Sequence, residues 1–489
     1  MADNQLVDIV LCNAQVVTPS GVLRNSGVAV QGGHIVAVGE EDRLPPARRT
    51  IDGGGQYLLP GAIDPHTHPG PWGPFENDIR TETRSAAAGG VTTMVGIVKS
   101  TRMGQPYKKI TEPQDVRSYG EVFPRARDII NEHAFVDMAL TFAIVSDDYA
   151  REIPLCVEEC GVTSFKFYLG YNRPNYFSRR IGLPTEWDDG TLFLGMEQIA
   201  KVGGLAAFHA ENRQVARVLE ERIKATGRKN LAAWEAASPD FLEAVDILKM
   251  GFFAKMLGCR IYVVHLNSRM GLEMVKRVRA EGVNITAEVC TQYLTLYDLE
   301  AEFPGAMAVN HPPIRDKSNA DALWEGLAKG DIQCVGTDHV PGTRAELVTE
   351  GDVWKSFSGM ATTELMLPIL LSEGVNQGRF TIERVAQVAS ENTAKALNLF
   401  PRKGAIQVGS DADLVLVDLN LKRTVRGEDL HTMQDFCVFE GREFTGWPVL
   451  TMLRGEVIME KGELVGDPRG TYLARTLDAT PAAAGKGVK

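Results

Sequence analysis

The sequence has no excess of positive charge and no long uncharged apolar run. Its 52 Lys and Arg residues are outnumbered by 63 Asp and Glu residues, which gives a net charge of −11. Because phosphate binding needs a clustered surplus of Lys and Arg, we expect no nucleic-acid partner. No stretch of about 18 apolar residues occurs, and the start MADNQLVDIV has no basic leader. We therefore expect a cytoplasmic protein without a membrane partner.

Cysteines are few, and their spacing does not indicate a disulfide framework. The seven cysteines are an odd number and lie scattered through apolar segments, which is typical of reduced, buried thiols. Cys156 and Cys160 are spaced C-x-x-x-C, but no second Cys or His pair accompanies them, so we favour core packing over metal binding. The sequence also lacks a G-x-S-x-G elbow, an H-E-x-x-H helix, a P-loop and a repeat of fixed period.

The sequence does contain a regular alternation of short β-type runs and longer helical patterns. Between about 58 and 402, eight runs rich in β-branched residues alternate with amphipathic stretches, the count expected of a (β/α)8 barrel. Hairpin-like runs flank this region on both sides. We predict an α/β fold with a (β/α)8 TIM-like barrel at 58–402 and a small β-sandwich built from both chain ends, 1–57 and 403–466. Residues 467–489 are expected to form a partly disordered C-terminal extension.

Polar residues stand at the carboxyl ends of the predicted barrel strands, where apolar packing would otherwise be expected. They are His66, His68, Lys166, His209, His265 and Asp338. In a barrel these strand ends converge on the one face where active sites lie. Two histidines two residues apart in an extended segment project to the same side and can share a metal ion. Histidines with independent structural roles have no reason to share a face, so the set predicts a metal centre.

Lys166 lies in the apolar run TSFKFYLGY, where an ammonium would face a desolvation cost of several kcal/mol. Burial lowers the pKa of an amine and so favours the neutral form that can add carbon dioxide. The resulting carbamate would be an anionic ligand whose two oxygens can bridge two cations. The alternative is a buried ion pair between Lys166 and Asp338 without any metal, which would leave the histidines unexplained.

These motifs, in this order, resemble the hydantoinase, dihydropyrimidinase and allantoinase branch of the amidohydrolase superfamily. The resemblance spans nearly the whole chain and rests on LLPGAIDPHTHPG, GVTSFKFYLGY, HAEN at 209–212, VVHLNS at 263–268, EVCTQYL at 288–294, PPIR at 312–315 and VGTDHVP at 335–341. It implies metal-dependent hydrolysis of a C–N bond in a cyclic amide, imide or ureide. It also implies that one metal is held by His66, His68, carboxylated Lys166 and Asp338, and the other by Lys166, His209 and His265.

The mechanism implied by the resemblance uses hydroxide between two divalent ions as the nucleophile. Asp338 would accept the proton during attack and return it to the departing nitrogen, and Tyr171 would donate a hydrogen bond to the carbonyl oxygen. Zinc is the expected metal, with Mn, Co and Ni as alternatives because His and carboxylate ligands suit them all. Members of this family usually form dimers and tetramers, so we expect a homodimer or homotetramer.

Two positions depart from the hydantoinase pattern. His311, preceded by Asn310, stands before the Pro pair where hydantoinases usually carry Ser, and Ser358 stands where they tend to carry Asn. All three residues are expected to contact the substrate, so the ring here can differ from hydantoin. Two alternatives stay open: a hydrolase of a linear amide or carbamate on the same scaffold, and a non-catalytic scaffold like the dihydropyrimidinase-related proteins. Retention of all six ligands counts against the latter.

Aromatic residues follow the first His pair and suggest an apolar rim above the metals. Trp72 and Phe75 are predicted to contact the substrate and to favour an apolar or aromatic ring substituent. Dihydroorotate is disfavoured because no Arg follows the His pair closely, and allantoin because no Glu does. Arg173, Arg179 and Arg180 are interpreted as solvated surface charges, with a substrate carboxylate as the alternative partner.

Overall fold

The centre of the chain forms a parallel eight-stranded barrel in the computed structural model, which describes residues 6–100, 103, 117–169 and 188–477. The strands pair in sequence order from the first to the last. They are β6 (Ala62–Thr67), β7 (Val91–Val98), β8 (Asp137–Ala143), β9 (Ser164–Tyr168), β10 (Leu205–His209), β11 (Arg260–Val263), β12 (Ile285–Cys290) and β13 (Cys334–Gly336). The predicted TIM-like barrel is confirmed.

Backbone hydrogen bonds just beyond β13 bring the last strand back to the first. The His68 N–H donates to the His339 carbonyl at 2.8 Å, and the His339 N–H donates to the His66 carbonyl at 3.2 Å. These bonds lie at the carboxyl end of β6. The segments that carry the first and the last predicted metal ligands are therefore joined directly.

Helices connect the barrel strands, and several of them have capping residues at their first and last turns. The Asp188 side chain accepts hydrogen bonds from the N–H groups of Gly190 and Thr191, and Gly203 ends the same helix in the left-handed conformation. The α-helices are Phe75–Ala88, Tyr119–His133, Asp147–Arg151, Ile153–Cys160, Asp189–Val202, Arg213–Lys224, Leu231–Ala237, Phe241–Leu257, Arg269–Ala280, Thr291–Thr295, Lys317–Lys329, Arg344–Leu347, Met366–Ile369, Ile382–Ala386 and Asn392–Ala396.

The two flanks of the chain build a second sheet, as predicted, and it is hydrogen-bonded as one nine-stranded sheet. Its strands are β1 (Val7–Thr18), β2 (Gly21–Gln31), β3 (His34–Glu40), β4 (Ala47–Asp52), β5 (Tyr57–Pro60), β14 (Leu414–Thr424), β15 (Glu443–Leu453), β16 (Glu456–Glu460) and β17 (Glu463–Leu464). The two flanks meet where β5 pairs antiparallel with β14, with Leu59 opposite Val415. Buried side chains from both flanks, including Leu11, Val28 and Met452, share one hydrophobic cluster.

A buried ion cluster joins this sheet to the amino end of the barrel. The Lys403 ammonium lies 2.6 Å from carboxylate oxygens of Asp137 and Asp413 and 2.9 Å from one of Asp411. Asp137 is the first residue of β8, and Asp413 directly precedes β14. Arg454, in the turn between β15 and β16, also pairs with Asp137. The cluster thus fixes the position of the second sheet against the barrel.

Residues 470–475 run across the amino ends of β8 and β9. Met138 donates its N–H to the Thr471 carbonyl at 2.9 Å and accepts from the Leu473 N–H at 2.7 Å. The Arg475 guanidinium is 2% exposed and donates to the Ser164 hydroxyl at 3.0 Å and to the Leu140 carbonyl. This part of the chain therefore covers the barrel end opposite the predicted ligands. Within the described ranges, no helix is long and apolar enough to cross a membrane.

Candidate metal centre

Three donor atoms lie close together at the carboxyl end of β6. Two come from His66 and His68 at the end of this first barrel strand, and one comes from Asp338, which follows the last strand, β13. His66 Nε2 lies 3.1 Å from His68 Nε2 and 3.2 Å from Asp338 Oδ1, and His68 Nε2 lies 3.1 Å from the same oxygen. All three atoms are close enough together to hold one metal ion. Imidazole nitrogen and carboxylate oxygen are donors that Zn²⁺ and similar cations prefer.

A second group of donors comes from the next part of the barrel. His209 ends β10 and His265 follows β11, and His209 Nδ1 lies 2.9 Å from His265 Nε2. The rings of His66 and His265 are stacked with centroids 5.4 Å apart, so the two groups are neighbours. His265 Nδ1 is buried without a hydrogen-bond partner among the residues that the structure describes. The donors of this second group could hold a cation beside the first.

Burial determines the charge of these ligands. It lowers the pKa of His209 to about 4 and those of His66 and His265 well below the ordinary value. The neutral imidazole that results is the form that binds metals. Burial works to raise the pKa of Asp338, but His66 and His68 outweigh it and the pKa is lowered. The site therefore offers neutral nitrogens and an ionised carboxylate.

Lys166 lies in β9 beside both donor groups and is 1% exposed. Burial lowers the pKa of its ammonium to about 8, and the nearby carboxylates of Asp338 and Glu288 oppose the shift only in part. The neutral amine is therefore far more abundant near neutral pH than it is in an exposed lysine. That form is the nucleophile required for carboxylation.

Buried acids hold the histidine rings from behind. The His66 Nδ1 atom lies 2.9 Å from Glu288 Oε1, which also accepts the His265 N–H at 3.1 Å. His209 Nε2 lies 3.1 Å from Glu211 Oε2. Such outer partners fix the ring orientation and tautomer of a metal-binding histidine. The backbone is also constrained here, because His265 and Asp338 have φ angles of 42° and 50°.

The donors open into a cavity at the carboxyl end of the barrel. Its walls include His68, Lys166, His209, His265 and Asp338 together with Trp72, Lys99, Tyr168, His311, Val340 and Ser358. The Trp72 ring contacts Phe357 at a centroid distance of 5.3 Å, and the His311 ring contacts Trp234 at 4.9 Å. Ser358 Oγ donates to Asn310 Oδ1 at 2.5 Å. The wall thus combines apolar rings with a few polar groups, as small-molecule sites do.

Comparison with known proteins places this site in a family. The model of the amidohydrolase family matches residues 263–458. The L-hydantoinase of Paenarthrobacter aurescens is 32% identical over 481 residues, covering 96% of this chain and 98% of that protein. The allantoinase of Rubrobacter xylanophilus is 33% identical over 453 residues, covering 91% and 93%. The chain belongs to the amidohydrolase family, in its cyclic amidohydrolase group. The crystal structure of dihydropyrimidinase from Brevibacillus agri NCHU1002 superposes with a TM-score of 0.84 at 29% identity, covering 96% and 99% of the two chains.

In this amidohydrolase most of the residues predicted from the sequence lie at the one cavity. His66, His68, Lys166, His209, His265 and Asp338 lie together, and Trp72, His311 and Ser358 line the wall. Asn310 lies behind Ser358, where its amide also donates to the Tyr293 hydroxyl at 2.9 Å. Tyr171, Arg173, Arg179 and Arg180 fall outside the described residues.

Phe75 is not among the described residues that line the cavity of the amidohydrolase. It begins the helix Phe75–Ala88, and its ring is 1% exposed within the main hydrophobic core. The predicted rim position of Phe75 therefore has to be corrected: a helix that starts at this residue turns the ring into the protein. Trp72, three residues earlier, keeps its place at the cavity.

Sequence reasoning missed three charged residues that the structure places at or next to the cavity. Glu211 contacts His209, Glu288 contacts His66, and Lys99 lines the wall. Each was visible as a charged residue at the end of an apolar strand-like run, in AAFHAEN, ITAEVC and MVGIVKS. That signal is the same one that identified Lys166.

Proposed function

We propose that this amidohydrolase opens a cyclic amide, imide or ureide ring by hydrolysing a C–N bond at a binuclear metal centre. The observation that carries the proposal is the convergence of two donor groups, His66, His68 and Asp338 on one side and His209 and His265 on the other, beside buried Lys166. The relatives support it, because they are named as hydantoinases, an allantoinase and a dihydropyrimidinase.

The ligand assignment follows the two donor groups. One cation would be held by His66, His68, Asp338 and carboxylated Lys166, and the other by Lys166, His209 and His265. Zinc is the first choice, and Mn, Co and Ni suit the same ligands. When bound, two divalent cations lower the pKa of a water molecule and polarise the scissile carbonyl.

Lys166 needs carboxylation to serve as a ligand to both cations. Its neutral amine forms a bond to the carbon of CO₂ and loses a proton to solvent, which leaves a carbamate with one negative charge. The pKa of about 8 makes the neutral amine available near neutral pH. The negative charge of the carbamate then offsets part of the positive charge that two cations bring into a buried site.

Asp338 is assigned to proton transfer. Its carboxylate is ionised, because His66 and His68 hold its pKa below the ordinary value against the effect of burial. It accepts the proton of the attacking water and returns it to the departing ring nitrogen, as general base and then general acid. Tyr171 is assigned to the carbonyl oxygen, where a phenol can donate to developing negative charge.

The substrate ring is assigned to the part of the cavity whose wall contains His311 and Ser358. The Ser358 hydroxyl is held by Asn310, so its orientation is fixed before substrate binds. Trp72 and Val340 supply the apolar part of the wall. A polar edge opposite an apolar surface suits a planar ring with amide groups along one side.

A panel of rings tests the function. Hydantoin, a phenyl-substituted hydantoin, dihydrouracil, a cyclic imide, allantoin and dihydroorotate would be incubated with purified protein whose metal content has been measured. We expect about two divalent ions per chain, ring opening of at least one compound and loss of activity on chelation. Full activity in metal-free protein would refute the mechanism, and turnover of linear amides alone would refute the ring assignment.

The proposal also includes a homodimer or homotetramer, on the resemblance to the family alone. Sizing chromatography at micromolar concentration tests this assembly. A monomer at that concentration would contradict it and leave the chemistry unaffected.

A further inference from the structure

A second lysine, Lys99, lies in the cavity of the proposed active site. It directly follows β7, the strand next to β6 in the barrel, and is half-buried. It lines the same cavity as His68, Lys166 and Asp338. Because it extends a strand of the rigid barrel wall, its backbone is fixed relative to the metal donors.

An aromatic ring holds the Lys99 ammonium in place. Lys99 Nζ lies 5.0 Å from the centroid of the Tyr168 ring, and Lys166 Nζ lies 5.2 Å from the same centroid. Tyr168 is 7% exposed, so its ring is itself fixed by packing. A cation over an aromatic face at this distance is attracted to it, more strongly where water is excluded. The ammonium is thus positioned at the cavity rather than spread over many side-chain conformations.

The charges of the wall favour an anionic group on the ligand. Among the described lining residues, Lys99 is a cation that the proposed metal ligands do not include. A positive side chain at the wall of a cavity with low-dielectric surroundings raises the local concentration of anions.

We propose that Lys99 binds a carboxylate carried as a substituent on the ring, so that the preferred substrate class is a cyclic amide with an anionic side group. The inference rests on the proposed function, since it assigns a substituent to the same site. Charge-assisted hydrogen bonds from an ammonium to a carboxylate are the strong ones among protein hydrogen bonds. Trp72 and Val340 would contact the apolar part of the substituent. This assignment changes the purely apolar rim expected from the sequence, because Phe75 lies in the core and Lys99 lies at the wall.

A matched pair of substrates tests the role of Lys99 in the metal-loaded enzyme. The pair is hydantoin carrying a carboxymethyl group and hydantoin carrying a carbamoylmethyl group, which have nearly the same size and differ in charge. We expect the wild type to prefer the carboxylate. Lys99→Met should lower kcat/KM for the carboxylate roughly 10- to 100-fold, mainly through KM, and change the neutral amide by less than about twofold. Lys99→Arg should restore part of the preference.

Lys355→Met serves as the control for loss of a positive charge near the site. Lys355 is exposed and pairs with Asp352 in the segment that precedes Ser358, and it does not appear in the described wall of the cavity. This variant should leave kcat/KM unchanged for both substrates. The metal content of Lys99→Met should equal that of the wild type, which separates a substrate contact from damage to the metal centre.

The outcomes distinguish this inference from the proposed function. The role of Lys99 is refuted, and the function stands, if the neutral hydantoin is hydrolysed but the wild type shows no preference for the carboxylate. The same holds if Lys99→Met lowers kcat/KM equally for both substrates. If neither ring is hydrolysed, calorimetric binding of the carboxymethyl ring decides. Binding that is lost in Lys99→Met supports Lys99 while the function fails, and absent or unaffected binding refutes both.

Discussion

Two lysines, Lys166 and Lys403, are buried at opposite ends of the same barrel and are both about 1% exposed. Lys166 lies at the carboxyl end of the strands beside the five side chains that we propose as metal ligands. Lys403 lies at the amino end, within 2.6 to 2.9 Å of the carboxylates of Asp137, Asp411 and Asp413. Burial removes water from both ammonium groups, but only one of them has acids in direct contact on several sides.

The different surroundings move the two pKa values in opposite directions. Burial lowers the pKa of Lys166 to about 8, because Asp338 and Glu288 compensate only in part. Burial also works to lower the pKa of Lys403, but Asp413, Asp137 and Asp411 outweigh it and the pKa is raised above the ordinary value. The comparison teaches that the number of carboxylates in contact decides whether a buried lysine is a reactive amine or a permanent cation.

The largest expected effect belongs to the reactive lysine. Lys166→Ala should lower the metal content below two ions per chain and reduce kcat/KM about 1,000-fold or more, because it removes the ligand that we propose both cations share. Metal analysis and kinetics check this, and a short carboxylic acid added in solution should restore part of the activity. Exposed Lys317→Ala serves as the control. Normal activity in Lys166→Ala would refute the proposed role of Lys166 as a metal ligand.

Asp338, an acid at the cavity wall beside Lys166, gives the next effect. Asp338→Asn should retain much of the bound metal but lower kcat by roughly 10²- to 10⁴-fold, because an amide cannot accept the proton during attack. Metal content and kcat are measured on the same preparation. A wild-type rate in this variant would remove Asp338 from the proton-transfer role.

At the other end of the barrel the expected effect is on stability. Lys403→Met removes the cation that three buried carboxylates share, which leaves Asp137 with Arg454 and Asp411 with Arg402 alone, and should lower the free energy of unfolding by about 3–5 kcal/mol. Urea titration measures the loss, and the exposed pair of Lys317 with Asp321, at 2.7 Å, offers the control. Lys317→Met should change stability by less than about 0.5 kcal/mol. Equal effects of the two substitutions would show that the cluster does not stabilise the protein.

The smallest effect is a difference in how the two lysines make the free energy of unfolding depend on pH, measured on metal-free protein. The folded-state pKa of Lys166, about 8, lies below the unfolded value of about 10.4. The unfolded state binds more protons between these values, so the free energy of unfolding should rise with pH there by up to about 3 kcal/mol. The raised pKa of Lys403 has the opposite sign: its stabilisation is fully present below about pH 10.4 and is lost only as pH rises through the folded-state value.

Urea titrations between pH 7 and 10.5 separate the two lysines. Lys166→Met should remove the rise in stability across this range, while the loss caused by Lys403→Met should stay constant up to about pH 10. If the free energy of unfolding still rises with pH in Lys166→Met, another titrating group causes the rise.

The parts of the fold and site that follow local patterns could be predicted from the sequence. Alternation of β-type runs and helices predicted the barrel, and His66-Thr67-His68 at the end of a run marked the strand end that carries ligands. The carboxyl ends of parallel strands meet by geometry, so residues far apart in sequence could be grouped without knowing their contacts. The likeness of the two β-rich flanks predicted that they form one β domain, but not the pairing of β5 with β14, because residues 58–60 of β5 were assigned to the barrel.

Features that depend on register or rotation could not be predicted. Phe75 follows the His pair closely, but the start of a helix at that residue points its ring into the core. Lys403 meets Asp137 across 266 residues, and no periodicity relates the two positions. Glu288 and Lys99 were visible as charges in apolar runs, but only the barrel register shows that one holds His66 and the other lines the cavity.

The pairing of β5 with β14 sets an order of events during synthesis. β5 ends at Pro60, and its antiparallel partner begins at Leu414. At roughly 5–20 residues per second, translation takes tens of seconds to pass from one to the other. Throughout that interval the whole barrel sequence emerges while the edge of β5 that β14 will occupy has no native partner. The nascent chain therefore carries an open strand edge for tens of seconds, and edges of that kind are where chains associate wrongly.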